Sequence, residues 1–158
     1  MLGTALAFFE IDSITWTDWA WGLPLIVLTV VIHVLGLGLI GQRAIRASRG
    51  VGRHRYPVAW FVIVVGTATL LATCLHGIEA ICWAKAFQFV GALPNFKSAN
   101  LYSLNAITSY GHTTLTLEPK WQLMGALEAL NGWLLFGLTT AFLFTIIEKV
   151  WRDIDRTR

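Results

Sequence analysis

Few residues in this chain could do chemistry, and each stands out because its surroundings are apolar. His33, His76, Glu79 and Glu128 all sit inside long runs of Leu, Val, Ile, Ala and Phe. Between two such runs lies Ile107–Leu115, ITSYGHTTL, made largely of hydroxyls with one glycine and one histidine. Imidazoles and carboxylates can hold a metal or hand on a proton. A short glycine-containing turn can present backbone carbonyls to a dehydrated cation. No nucleophile motif, phosphate-cradling loop or pair of catalytic carboxylates accompanies them, so the sequence does not read as an enzyme.

The elements that position these groups follow from composition. The chain has 158 residues, 56% of them hydrophobic and only 13% charged, where a soluble domain carries about 25% charged residues. Mean hydropathy is +0.62. These values describe an integral membrane protein. Three runs reach the roughly 20 apolar residues that a membrane-crossing helix needs. They are Trp21 to Ile40, Val58 to Ile81 with an extension towards Phe89, and Leu123 to Ile147. The first ten residues carry no basic group ahead of their apolar part, so they do not read as a signal peptide. Trp16, Trp19 and Trp21 interleave with acids, a mixture suited to a membrane–water interface. Cys74 and Cys82 share a helical face two turns apart and read as buried thiols rather than a disulfide or metal pair. A net charge of +3 gives no reason to expect nucleic acid.

Charge placement orients the spans. The link between the first two, QRAIRASRGVGRHRY, holds five arginines and no acid, and the tail adds one lysine and three arginines. Only Lys85, Lys97 and Lys120 lie between the second and third spans. The positive-inside rule therefore places the arginine link and the C-terminus in the cytoplasm, and the N-terminus and ITSYGHTTL outside. The arginine link could also hold anionic lipid headgroups, although setting topology is the simpler and preferred reading.

The connection from about Lys85 to Lys120 is too apolar for a solvated loop. Pro94 and Asn95 mark a break, and Ser98 is placed as the cap of a short helix running to about Thr108. Such a helix is too short to cross a bilayer, so it is expected to dip in and return. Irregular backbone at that depth must be buried in protein or line a water-filled cavity.

That order, span, short helix, Tyr-Gly turn, span, resembles the pore module of potassium channels. FKSANLYSLNAITSYGHTTL is similar to the pore-helix and filter segment of small bacterial two-span potassium-channel-like proteins. LHGIEAICWAKAFQFVGALPNF and WQLMGALEALNGWLLFGLTTAFLF are similar to its flanks. The resemblance covers about Val58 to Glu148. It implies a homotetramer, a filter region at Thr108, Ser109, Tyr110, Gly111 and His112, and a permeating monovalent cation, K+ or Na+, with no bound cofactor. Aligned on Tyr110–Gly111, the T-V-G-Y-G-D pattern of the family becomes Ile107, Thr108, Ser109, Tyr110, Gly111, His112. Aligned instead on Tyr102-Ser103-Leu104, the loop is about two residues short. One filter glycine is missing either way, which implies a wider and less selective pore. His112, in place of an acid, would make the outer mouth respond to pH; a histidine bonded to the pore helix or to water is the alternative.

The remaining polar groups take their places around this frame. Glu128, Asn131, Gly132, Leu135 and Thr139 fall on one helical stripe. With Asn105, the polar and glycine members are candidates for lining the pore or supporting the filter, against a plain role in helix packing. His76 and Glu79 share a face of the second span. With the distant His33 they make a weak case for a metal, since catalytic zinc takes three protein ligands and structural zinc four; no metal site is expected. His33 is expected to bond a hydroxyl of a neighbouring helix, Thr67, Thr69 or Thr73.

The fold expected is an all-α membrane protein with three transmembrane helices, a re-entrant pore helix and a filter-like loop, assembled as a tetramer in a bacterial inner membrane. Residues 1–56 would form the outer segment, first span and arginine link; 57–150 the pore module; 151–158 a cytoplasmic tail. The expected function is passive cation conduction. The alternatives are a non-conducting scaffold or accessory subunit with a degenerate pore module, or a small proton- or metal-handling protein using His33, His76, Glu79 and Glu128.

Overall fold

Among the described residues the chain forms four α-helices, α1 (Leu2–Ser48), α2 (Pro57–Phe89), α3 (Phe96–Ile107) and α4 (Gln122–Asp155), the last preceded by a 3₁₀ turn at Pro119–Trp121. The structure, a computed structural model, describes residues 2–49, 55–111 and 115–155, with side chains from residue 16 onward. Helix accounts for 87% of it, and no strand occurs among the described residues. Among the described residues three helices are long and apolar enough to cross a membrane: Trp16–Ser48, Pro57–Phe89 and Pro119–Asp155. At 1.5 Å per residue, a 33-residue helix is about 50 Å long and overshoots a hydrocarbon core of about 30 Å.

The helices exceed the apolar runs at both ends. The first was expected over Trp21 to Ile40, but α1 continues through the tryptophan- and acid-bearing segment before it and the arginines after it. Hydropathy marks the membrane-compatible stretch, whereas the backbone hydrogen-bond ladder continues until a breaker stops it. Pro24 lies inside α1 without ending it; membrane helices tolerate proline because neighbouring groups satisfy the freed carbonyl.

Gly91 stops α2. Its φ is +72°, its N–H donates to the Gln88 carbonyl at 3.2 Å, and the Ala92 N–H donates to the Phe87 carbonyl at 2.9 Å. This paired arrangement is a Schellman closure, and its left-handed residue is usually glycine. Asn95, not Ser98, caps α3: its side-chain oxygen accepts from the Ser98 backbone N–H at 2.9 Å. Ser98 is thus the third helical residue, supplying the orphan N–H that the cap satisfies.

The chain forms two compact units. In the first, made of the segment up to Val30 with Ile78–Leu134, α3 lays Ala99, Tyr102, Ser103 and Ala106 inward. These pack with Trp83 and Phe87 of α2 and with Met124 and Leu127 of α4. Phe87 and Tyr102 meet edge to face, their centroids 5.3 Å apart, a geometry that aromatic quadrupoles favour. Asp18 of α1 is buried, and its carboxylate accepts the Met124 N–H at 3.3 Å. An acid near the first turn of α4 complements the positive end of that helix.

The second unit, Val31–Gly77 with Leu135–Arg158, packs Leu37 against Ala72 and Leu75, and Ala44 against Val64, Ile146 and Val150. Gly36 lies so close to Leu75 that an added Cβ would sit 2.6 Å from its Cδ2. Small residues of this kind let membrane helices approach. The Trp60 indole donates to the Ala47 carbonyl at 3.0 Å, fastening α2 to the end of α1.

Both cysteines are free, but neither is buried. Cys74 is exposed and Cys82 half-buried. A thiol on the lipid-facing side of an apolar helix loses nothing by exposure, so an apolar sequence context does not fix its burial.

Candidate functional site

The polar turn after α3 is built by the end of that helix. The Ser109 N–H donates to the Ala106 carbonyl at 2.9 Å and the Tyr110 N–H to the Asn105 carbonyl at 3.0 Å. This is a second Schellman closure. Here, however, the left-handed position holds Ser109, φ +54°, the one non-glycine residue with positive φ among those described. A side chain in that region costs about 1–2 kcal/mol. The Ser109 hydroxyl offsets part of this by accepting from the Trp133 indole N–H of α4 at 2.8 Å.

Gly111 is also left-handed, at φ +91°. Tyr110, between them, points its ring outward and is 81% exposed. Thr108 donates its hydroxyl back to the Leu104 carbonyl at 2.6 Å. The backbone therefore reverses twice in three residues at the C-terminal, partially negative end of α3. His112 lies outside the described residues.

Against this turn, α4 presents the polar stripe. Gly132 packs on the carbonyl of Ile107, the last residue of α3, so closely that a Cβ would collide with that backbone. Glu128 and Asn131 are fully buried. Asn131 donates through Nδ2 to Thr29 Oγ1 of α1 at 2.8 Å, and Thr29 donates on to the Leu25 carbonyl at 2.8 Å. Ser103 of α3 stands opposite Glu128. Yet neither carboxylate oxygen of Glu128, nor the Ser103 hydroxyl, nor the Asn131 side-chain oxygen has a hydrogen-bond partner of full geometry among the described residues. Burial, and secondarily Glu128, pushes the Tyr102 phenol up to about 12, leaving it a neutral hydroxyl. Gly125 of α4 makes room for that hydroxyl.

The stripe thus faces inward within one chain. The exposed face of α4 carries Leu130, Trp133, Leu134 and Phe136 instead. Asn105 is half-buried and contributes its backbone carbonyl to the turn.

A second cluster lies in the other unit. His33 of α1 and His76 of α2 converge on Thr139 of α4. Thr139 Oγ1 is 3.0 Å from His33 Nε2 and 3.1 Å from His76 Nε2. The imidazole centroids are 5.0 Å apart. His33 is fully buried and His76 half-buried. The threonine hydroxyl has one proton and two lone pairs, so it donates to at most one ring and accepts an N–H from at least one of them. His33 finds its hydroxyl on α4, not among the α2 threonines: Thr69 and Thr73 instead turn their hydroxyls back on Val65 and Thr69 of their own helix. Glu79, one turn beyond His76 on α2, belongs to the first unit and is fully buried.

Sequence reasoning placed Thr139 on the correct stripe but did not join it to the histidines. It also passed over Ser103, Thr29 and the Asp18–Met124 link. The usable signal for all three was a small or acidic polar residue within an apolar helix, which in a membrane implies a partner. Comparison with family models, curated proteins and solved structures finds no match to this chain.

Proposed function

We propose that this chain is one subunit of a passive, potassium-channel-like cation pore. One observation carries the reading: α3 is too short to span, lies between two helices that are long enough, and ends in a doubly left-handed turn fixed onto α4 at Gly132 and Trp133. In such a pore the turn would supply carbonyl oxygens in place of an ion's water, with the negative end of α3 directed towards the ion.

A single turn encloses nothing, so the functional unit is a closed ring, a homotetramer in this reading. The arginine link and C-terminus would face the cytoplasm. Thr108, Ser109, Tyr110 and Gly111 would border the conduction path. Glu128, Asn131 and Gly132 would support it from behind, because their burial keeps them off the chain's outer surface, and the half-buried Asn105 would do so through its backbone carbonyl. Selectivity between K+ and Na+ is expected to be poor, since serine holds a left-handed position where the family has glycine.

The test is cation flux into liposomes carrying the purified protein, in K+ and in Na+, together with its assembly state. Flux from an oligomer that is abolished by Gly111→Ala and altered in selectivity by Tyr110→Ala supports the reading. A monomer, or an oligomer whose flux ignores both substitutions, overturns it.

A further inference from the structure

We infer that Glu128, with Ser103 and Asn131, forms an intramembrane site for a small monovalent cation, Na+ in preference to K+. The site does not depend on the pore reading.

All three side chains belong to the first unit and are shielded from solvent. Glu128 and Asn131 share a face of α4, with about 5–6 Å between Cβ atoms at that spacing. Ser103 of α3 stands opposite Glu128. Two carboxylate oxygens, one hydroxyl and one amide oxygen are left without a hydrogen-bond partner of full geometry among the described residues. Buried polar groups ordinarily have partners, and a concentration of such oxygens points to a ligand.

Hydrogen-bond accounting indicates its kind. The Thr29 hydroxyl gives its single proton to the carbonyls of Leu25 and Ile26, at 2.8 and 3.1 Å. Its oxygen must therefore accept, and Asn131 meets it with Nδ2 at 2.8 Å. That bond fixes the amide and leaves Oδ1, an acceptor, as the unmatched end. Ser103 has one proton to give, against an amide oxygen and two carboxylate oxygens that accept. A water molecule would supply donors but leave the carboxylate charge in an apolar interior, at high cost. A cation satisfies the oxygens and the charge together. No base among the described residues of this unit supplies that charge from within, since Lys85, Lys97 and Lys120 are all exposed.

The end of α3 adds to the attraction. Its Ile107 carbonyl packs on α4 at Gly132, one turn beyond Glu128, and a helix C-terminus carries partial negative charge. Helix C-terminal ends coordinate Na+ in membrane transporters for this reason.

Oxygen donors favour hard cations. One carboxylate balances one positive charge, whereas a divalent ion would keep an excess charge in the apolar interior. The gap is also narrow: Gly125 leaves no room for a Cβ beside the Tyr102 hydroxyl, nor Gly132 beside the Ile107 backbone. Such a gap admits Na+ more readily than the larger K+. In Na+-free medium Glu128 bears the cost of an unpaired buried group, and binding of Na+ offsets it.

The experiment is thermal unfolding of the full-length protein in detergent, in choline chloride, with Na+ or K+ replacing choline at constant ionic strength. Na+ at about a hundred times its dissociation constant should raise the melting temperature by about 5–11 °C, saturably. K+ should need a higher concentration. Glu128→Gln keeps the shape, removes the charge and should lose the Na+ shift. Ser103→Ala removes one neutral oxygen and should raise the half-saturating Na+ concentration about tenfold or more, the worth of one hydrogen bond to a charged group. If Glu128→Gln does not fold, equilibrium binding of radioactive sodium to the wild type takes its place, and one ion per chain is expected. Melting temperatures that do not separate Na+ from choline, an equal response to K+, a Na+ shift that survives Glu128→Gln, an unmoved midpoint in Ser103→Ala, or less than one sodium per chain would overturn the inference. None of these readouts involves flux, so failure of the site and failure of the pore reading are distinct results.

Discussion

Replacing Ser109 separates backbone strain from side-chain bonding at the polar turn. Ser109 sits at φ +54° and accepts a 2.8 Å hydrogen bond from Trp133. Ser109→Gly relieves a left-handed penalty of about 1–2 kcal/mol and forfeits a hydrogen bond whose net value is about 0.5–1.5 kcal/mol. The balance falls between about 0.5 kcal/mol destabilising and about 1.5 kcal/mol stabilising. Ser109→Ala loses the same bond and keeps the strain, so it should destabilise by about 0.5–1.5 kcal/mol. The difference between the two variants cancels the hydrogen bond and leaves the backbone term of about 1–2 kcal/mol. For a chain of this size each kcal/mol moves the melting temperature by about 2–4 °C. Thermal unfolding in detergent should therefore separate glycine from alanine by about 2–8 °C, glycine higher. Equal melting temperatures would mean that Ser109 is not left-handed in the protein, and the closure of α3 described above would fall with it. Measured in the flux assay, the same pair tests the proposed function: glycine should sharpen K+ over Na+ if the turn borders an ion path.

Gly132→Ala should destabilise by about 1–3 kcal/mol, the usual range for overpacking, because its Cβ would meet the Ile107 backbone rather than a movable side chain; denaturant unfolding in detergent measures it, and an unchanged midpoint would refute the close α3–α4 contact. Asn131→Leu should cost about 0.6 kcal/mol and at most about 1.7, the span found for hydrogen bonds between membrane helices, since Thr29 keeps its bond to the Leu25 carbonyl. In lipid, a membrane-permeant alkylating reagent should modify Cys74 faster than Cys82, following their exposure.

The three spans were legible because a bilayer demands about 20 apolar residues in a row, and the sequence supplies three such runs. The short helix was legible too, from Pro94-Asn95 and the polar residues that end it. Its cap was assigned one turn late because asparagine and serine are both good caps, and only geometry shows which of the two supplies the oxygen. The pairing of His33 with His76 was not legible. In a soluble bundle, an apolar stripe tells which way a helix faces. In a membrane, lipid and protein interior are equally apolar, so α1 and α2 can rotate without leaving a trace in their pattern of Leu, Val and Ile. The rotation is set by close contacts such as Gly36 on Leu75 and by the polar residues themselves. A sequence reading recognises such polar residues one by one but does not match them across helices.

Glu128 is where the fold gives up stability, and its replacement tests why. It is fully buried beside Ser103, and both of its carboxylate oxygens lack a partner of full geometry among the described residues. An unsatisfied buried polar group costs about 1–3 kcal/mol, whereas an apolar side chain of the same length costs nothing comparable. Glu128→Met should therefore raise the unfolding free energy by about 1–3 kcal/mol, with helix content and assembly unchanged. Proteins retain such a cost where function needs it. If Glu128 backs the polar turn, the stabilised variant should conduct poorly. A stabilised variant with undiminished flux would remove Glu128 from the functional set. A destabilised one would mean that the carboxylate is satisfied in the membrane by water or an ion lodged between α3 and α4. Isotope-edited infrared spectra of the carboxyl group would then separate those two partners, since an ion shifts the carboxylate stretch and a water exchanges with deuterium.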